Sequence, residues 1–371
     1  MINTCLRNGD FAGANAAVWQ KGQCLYSNSF GMADRENGHP MTEDTIFRIY
    51  SLTKPVTAVA VMQLIESGKL HPDFPIGWYI PEFSGARVYE ADGTVCPASR
   101  DILVRDLLNM TSGLTYPSCY TRTQKDTAAL FGEMEDALRE GHPFDTLTVC
   151  RRLGQIPLQF DPGTQWEYGT SADVLGGLVE VVSGRSYRDY LIEHILEPLG
   201  MEDTDFYVHA EKLNRFAASY EQQPDRSLRR DDAMHLGLNG QRSLPAFLSG
   251  GAGLTSTIRD YAKFANMLAN GGTTYDGVRI LSRRSVSYMA TSQIDPLNGY
   301  GYGCLVRVLL DRTAAGTLAT LGEFGWDGWT GTYFCVDPAE ELCILFWIQL
   351  SNAGTSTPAK LMRNIVYASL E

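Results

Sequence analysis

In the stretch Tyr50-Ser51-Leu52-Thr53-Lys54-Pro55-Val56-Thr57-Ala58-Val59-Ala60, a serine and a lysine stand three positions apart at the head of an apolar run. Val56, Val59, Ala60, Met62, Leu64 and Ile65 recur at helical spacing, and Gly68 closes the segment. The i, i+3 spacing puts Ser51 and Lys54 on one helix face. A serine becomes a nucleophile beside a base, and an amine serves if it is neutral. A free lysine has a pKa of roughly 10.4, so burial or a neighbouring cation must lower it. The helix N-terminus adds a positive field and free N–H groups that favour a developing oxyanion. The plainer reading is that Ser51 caps the helix. Of the seven lysines, only Lys54 has serine three positions earlier.

A serine–lysine site also needs a proton carrier. Tyr168-Gly169-Thr170 precedes a second apolar helix, Ser171 to Val182, and follows Asp161-Pro162-Gly163-Thr164, a turn that lifts Tyr168 onto a loop. In Phe324-Gly325-Trp326-Asp327-Gly328-Trp329-Thr330-Gly331-Thr332, glycines spaced by three bring backbone close to a ligand or a crossing helix. A strand edge here, beside the Ser51 helix, offers the N–H of Trp329 as an oxyanion donor. The alternative is a tight turn carrying two core tryptophans. There is no G-x-S-x-G elbow, P-loop or G-x-G-x-x-G.

Both ends of the chain read as strands. Residues 13–31 form a hairpin about Lys21-Gly22, and Thr332–Val336 with Leu342–Gln349 form another about Asp337-Pro338-Ala339-Glu340. Tyr302 to Leu310 is a further strand, and Thr357 to Leu370 a closing helix. The two hairpins are expected to pair, bringing the termini together. The middle is helical, with a helix from Ile258 to Leu268 and an irregular polar stretch over 220–250. Residues 114–165, with Tyr116, Tyr120 and Phe131, fit a cap over a site. The expected fold class is α/β: an antiparallel sheet flanked by helices with an inserted, mainly helical domain. The expected division is 1–70 plus 270–371 for the sheet domain and 71–269 for the insertion.

The 371 residues carry 31 basic and 43 acidic side chains, a net charge of −12, which leaves no basic stripe for nucleic acid or an anionic membrane. At 44% hydrophobic and 20% charged, the chain has the material for a packed core. It has no 18-residue apolar run, so no membrane span is expected. The first ten residues lack a signal-peptide profile. The expected location is therefore the cytoplasm, unless a leader was removed before this numbering begins. The eight scattered cysteines read as free thiols. The six histidines form no H-E-x-x-H and no close pair, so neither a metal nor an organic cofactor is expected.

Taken together and in order, these elements resemble the serine β-lactamase and penicillin-binding-protein superfamily. The nearest likeness is its class C-related esterase branch, the family VIII carboxylesterases. The resemblance spans about residues 10–365. It includes Phe47–Ala58, Val104-Arg105-Asp106-Leu107-Leu108-Asn109-Met110-Thr111-Ser112-Gly113-Leu114, Trp166–Gly176, Glu197-Pro198-Leu199-Gly200-Met201, Ser249-Gly250-Gly251-Ala252-Gly253-Leu254 and Thr332–Pro338. It implies the β-lactamase/transpeptidase-like fold and an acyl-enzyme mechanism. Ser51 attacks an ester or amide carbonyl of a small molecule. Lys54 and Tyr168 share the proton work, and the N–H groups of Ser51 and Trp329 hold the oxyanion. Two positions depart from the penicillin-recognising pattern. Trp326-Asp327-Gly328 replaces Lys or His, a small residue and Gly, so no cation grips a β-lactam carboxylate. Thr170 replaces an Asn that holds an acylamino group. These changes favour esters of small or medium acyl groups, and the aromatic supply (Tyr116, Tyr120, Tyr300, Tyr302, Trp326, Trp329) suits an apolar acyl or aryl group. The alternatives are a β-lactamase or D-amino-acid peptidase, an acyltransferase, and a catalytically silent scaffold.

Overall fold

The computed structural model describes residues 1–231 and 234–370. The strands are β1 (Gly13–Gln20), β2 (Gln23–Asp34), β3 (His39–Pro40), β4 (Ile46–Arg48), β5 (Arg87–Tyr89), β6 (Val95–Pro97), β7 (Tyr220–Gln222) and β8 (Leu228–Arg230). They continue with β9 (Thr255–Thr257), β10 (Tyr300–Tyr302), β11 (Arg307–Leu309), β12 (Phe324–Asp327), β13 (Tyr333–Asp337) and β14 (Leu342–Trp347). The helices are α1 (Ile2–Arg7), α2 (Thr53–Glu66), α3 (Val104–Leu108), α4 (Arg122–Arg139), α5 (Thr146–Gly154) and α6 (Ser171–Ser183). After them come α7 (Tyr187–Leu191), α8 (Ile258–Ala269), α9 (Arg283–Met289), α10 (Arg312–Ala315) and α11 (Thr357–Tyr367).

The main sheet has eight strands in the order β10-β11-β12-β13-β14-β1-β2-β3, all antiparallel. As expected, the first and last hairpins pair, with Asn15 opposite Trp347 and Gln20 opposite Leu342. Every residue of β14 is buried, so both faces are covered at this central strand. The period-2 pleat sorts them. Leu342, Ile344 and Phe346 join Phe11, Ala16, Ala359 and Met362 beneath α11. Cys343, Leu345 and Trp347 point to the other side, into the large core shared with α2, α6 and α8.

Helix α2 lies deep in that core. Eleven of its 14 residues are buried, and apolar residues surround it, as befits a central helix rather than a surface one. Its Ala and Val side chains let α6 pack against it. Glycines tighten the layer further. A Cβ on Gly250 would meet the Ala172 carbonyl at 2.2 Å, and one on Gly177 the Cys150 sulfur at 2.5 Å.

Several expectations need correction. Helix α8, assigned to the 71–269 insertion, packs on β1, β13 and β14 and so belongs to the sheet layer. Its apolar face (Tyr261, Phe264, Ala265, Leu268) found the sheet rather than other helices. The strand expected over 302–310 is split into β10 and β11, because Leu305 takes a left-handed φ of 56° and turns the chain. The irregular 220–250 stretch contains the β7–β8 hairpin; Asp232 and Ala233 within it lie outside the described residues. Of the three cap aromatics, Tyr120 is 86% exposed and Phe131 is buried in the core, so only Tyr116 turns toward a site.

Candidate active site

Ser51 owes its position to a backbone kink. Strand β4 is pinned to β9, and the buried Arg48 guanidinium donates to the Ala217 carbonyl at 2.9 Å. Tyr50 then adopts φ 43°, an uncommon conformation for a bulky residue, and a short 3₁₀ turn over Tyr50–Leu52 leads into α2. The turn presents the Ser51 hydroxyl at the helix head.

Three groups converge there. Lys54 Nζ lies 3.1 Å from Ser51 Oγ, 2.9 Å from the Tyr116 hydroxyl and 2.8 Å from the Gly251 carbonyl oxygen. The Tyr168 hydroxyl donates to Ser51 Oγ at 2.7 Å, and Trp326 Nε1 donates to the Tyr168 oxygen at 3.1 Å. The Gly251 carbonyl only accepts, so it fixes one amine hydrogen. A neutral amine then keeps its lone pair free for the hydroxyl of Ser51 or Tyr116.

Burial pushes the Lys54 pKa down to about 7, against the pull of the Asp173 and Asp327 carboxylates. Burial drives the Tyr168 phenol up, and its hydrogen bonds with Ser51 and Trp326 hold it back only in part. The Tyr116 phenol is likewise raised by burial. Asp173, in the first turn of α6, is raised by burial, and it accepts from Ser249 Oγ at 2.5 Å and the Gly251 N–H at 3.0 Å. It thereby aims the Gly251 carbonyl at Lys54.

The turn after β12 is tied to the segment before Ser51. Thr332 Oγ1 donates to the Ile49 carbonyl at 3.1 Å and Thr330 Oγ1 to the Arg48 carbonyl at 3.2 Å. Gly328 is required by this approach: a Cβ would meet Thr332 Oγ1 at 2.2 Å and the Ile49 oxygen at 2.5 Å. Among the described residues, neither the Ser51 nor the Trp329 amide N–H finds an acceptor. Both donors are therefore uncommitted.

These groups border a cavity of about 360 Å³ whose walls are largely aromatic: Tyr50, Tyr116, Tyr168, His235, Trp326 and Trp329. The His235 imidazole stacks on the Trp329 indole at 3.8 Å, and burial pushes its pKa down to about 4, leaving it neutral near pH 7. Asp327 is the one carboxylate on the wall among the described residues. It is held by Arg307 Nη1 at 2.9 Å and by the Thr355 hydroxyl.

Of the residues expected at the site, Ser51, Lys54, Tyr168, Trp326, Asp327, Gly328 and Trp329 come together. Thr170 does not. It is wholly buried at the N-cap of α6, where its hydroxyl faces the Thr115 carbonyl, and it does not line the cavity. Tyr300 and Tyr302 also stand back, Tyr302 packing edge-on behind Trp326. Tyr116, expected as a cap aromatic, also contacts Lys54, and Asp173, Gly251 and His235 were not expected at the site. A Cβ on Gly251 would crowd the Tyr116 hydroxyl at 2.8 Å.

Comparisons with known proteins place the chain in a family. Protein Rv1367c of Mycobacterium tuberculosis (strain ATCC 25618 / H37Rv) is 34% identical over 362 residues, covering 92% of this chain and 86% of its own length. Esterase EstB of Burkholderia gladioli is 33% identical over 388 residues, covering 99% of this chain and 94% of its own. Among solved structures, EstCE1, described as a hydrolase with promiscuous acyltransferase activity, superposes with a TM-score of 0.85 at 25% identity. That match covers 99% of this chain and 96% of that one. The Beta-lactamase family profile matches residues 1–368, and the chain belongs to that family.

Proposed function

We propose that the protein is a serine hydrolase that cleaves carboxylic esters of small or medium acyl groups through an acyl-enzyme on Ser51. The observation that carries this reading is the Ser51 oxygen, bonded at once to an amine 3.1 Å away and a phenol 2.7 Å away. Near neutral pH the buried Lys54 amine is the group able to accept the Ser51 proton, whereas Tyr168 keeps its own. Ser51 Oγ bonds to the carbonyl carbon, and the amides of Ser51 and Trp329 hold the resulting oxyanion. Tyr168 gives its proton to the departing alkoxide, and Lys54 returns the one it took to Tyr168. Water then attacks the acyl carbon, and the same pair passes the water proton back to Ser51. Tyr116 and Gly251 position the Lys54 amine.

The wall supports an ester rather than a β-lactam. Trp326 offers an indole where a carboxylate needs a cation. Asp327 is neutralised by Arg307, which spends that cation within the protein. Acyl transfer to an alcohol is the second reading, favoured by the description of EstCE1. All eight cysteines are free thiols, which supports a reducing, cytoplasmic setting. No helix among the described residues is long and apolar enough to cross a membrane. The proposed organisation has two units, a sheet unit of 1–70 with 258–371 and a mainly helical unit of 71–257. Ser51 and Trp326 then face Tyr168 across the junction.

A fluorophosphonate probe followed by intact-mass and peptide mapping tests the reading. The expected result is a single adduct on Ser51 and rapid turnover of p-nitrophenyl butyrate that Ser51→Ala abolishes. A Ser51→Ala variant with full turnover overturns it.

A further inference from the structure

A second cavity, of about 350 Å³, lies near the sheet end formed by β10 and β11. Its lining includes Arg307, Lys360 and Arg363, together with Tyr300, Thr317 and Asn298. No Asp or Glu lines it among the described residues, in a chain whose net charge is −12. Such a local reversal of sign focuses an anion-attracting field.

Both guanidinium groups are ion-paired, and the ammonium of Lys360 is the unpaired cation of the lining among the described residues. Arg363 faces the buried Glu323 at 3.5 Å, and Arg307 faces Asp327 at 2.9 Å. Lys360 is exposed and has no partner among the described residues, so the lining carries surplus positive charge. Arg307 Nη2 is buried with no acceptor in the protein.

The donors are also oriented. Arg363 Nη2 donates to the Tyr300 oxygen at 2.8 Å, which leaves the Tyr300 proton free to donate elsewhere and polarises it. Arg363 Nε likewise donates to Thr317 Oγ1 at 2.9 Å. The Asn298 amide has no partner among the described residues, and it stands on a backbone at φ 49°. An ammonium, a phenol and an amide around one cavity, with two ion-paired guanidinium groups behind them, match a small oxyanion rather than a cationic guest.

We propose that this cavity binds a small oxyanion, a phosphate or polycarboxylate group, at a place separate from the Ser51 cleft. The two cavities share no lining residue, but Arg307 and Thr355 of this one hold Asp327 of the other. An occupant would therefore share a cation with the carboxylate on the substrate wall.

Calorimetric titration of the full chain with sodium phosphate, citrate and sodium chloride, at matched ionic strength, tests the proposal. Saturable binding of phosphate or citrate beyond the chloride heats is expected, with a rise in Tm of about 2–4 °C at saturation. Tighter phosphate binding assigns a phosphoryl ligand, and tighter citrate binding assigns a carboxylate one. Lys360→Glu and Asn298→Asp, both at exposed positions, should weaken binding by about tenfold or more while melting like the parent in chloride. Oxyanion heats equal to those of chloride, or undiminished binding in both variants, overturn it. Neither result depends on the role of Ser51.

Discussion

Lys54 is held in a place that suits chemistry better than stability. It is fully buried, it makes no ion pair among the described residues, and its pKa falls to about 7. Because that value lies below the unfolded one, the unfolded chain binds more protons between about pH 7 and 10.5. The burial penalty is therefore fully present below about pH 7 and is relieved as pH rises through that window. Lys54→Met is expected to abolish ester turnover and yet raise unfolding free energy by about 1–3 kcal/mol in urea titrations. In the proposed mechanism the same amine sets the acid limb of the rate profile, so kcat/KM should rise through about pH 7. Tyr116→Phe removes one of the three Lys54 contacts. It should lower kcat about 10- to 100-fold and move that limb, whereas a purely structural role would leave the limb in place. Ser51 and Lys54 were legible because their spacing carries its own geometry. Tyr116 was legible as a cap aromatic but not as a partner of Lys54, because its phenol meets that amine only through the tertiary fold.

At the scale of elements, local signals named the helices and turns but not their neighbours. Hairpins at both ends were readable from alternation and from the turns at Lys21-Gly22 and Asp337–Glu340, and they pair as the pattern required. For α8, periodicity fixed a helix with one apolar face, and nothing in the sequence said that a sheet would cover it. Thr170 misled in the same way: its neighbour Tyr168 reaches the cavity, while one turn onset later the chain has dived into α6. The glycines of 325–331 announced a close approach and left open what approached. The answer is the Ile49 carbonyl beside Gly328. Gly328→Ala must push the β12–β13 turn away from the Ser51 segment, displacing the Trp329 amide. A fall in kcat of about 10²–10³ is expected, on the scale of losing one oxyanion donor, with p-nitrophenyl butyrate KM much less affected. Equal kcat in the variant would remove Trp329 from the oxyanion site.

For the whole molecule, the sheet is a partition with chemistry on one side only. Phe346 and Trp347 are adjacent and both wholly buried, yet the pleat sends them to opposite cores. Phe346 packs edge-on against Phe11 at 6.1 Å, beneath the helices at the two ends of the chain. Trp347 packs against Phe47 at 5.4 Å and Tyr261 at 5.6 Å, directly behind the strand that feeds Ser51. Each truncation to Ala should cost about 3–5 kcal/mol, because each leaves a ring-sized void in a packed core. Their effects on catalysis should part. Tyr261 donates to the Leu52 carbonyl at 2.8 Å, so a void at Trp347 lets the turn bearing Ser51 shift. A void at Phe346 opens on the far face, away from the Phe47 and Tyr261 contacts behind Ser51. At 20 °C, below either melt, Phe346→Ala should keep parental kcat while Trp347→Ala loses it. Matched losses of kcat in the two variants would mean that the two cores transmit strain through the sheet and act as one.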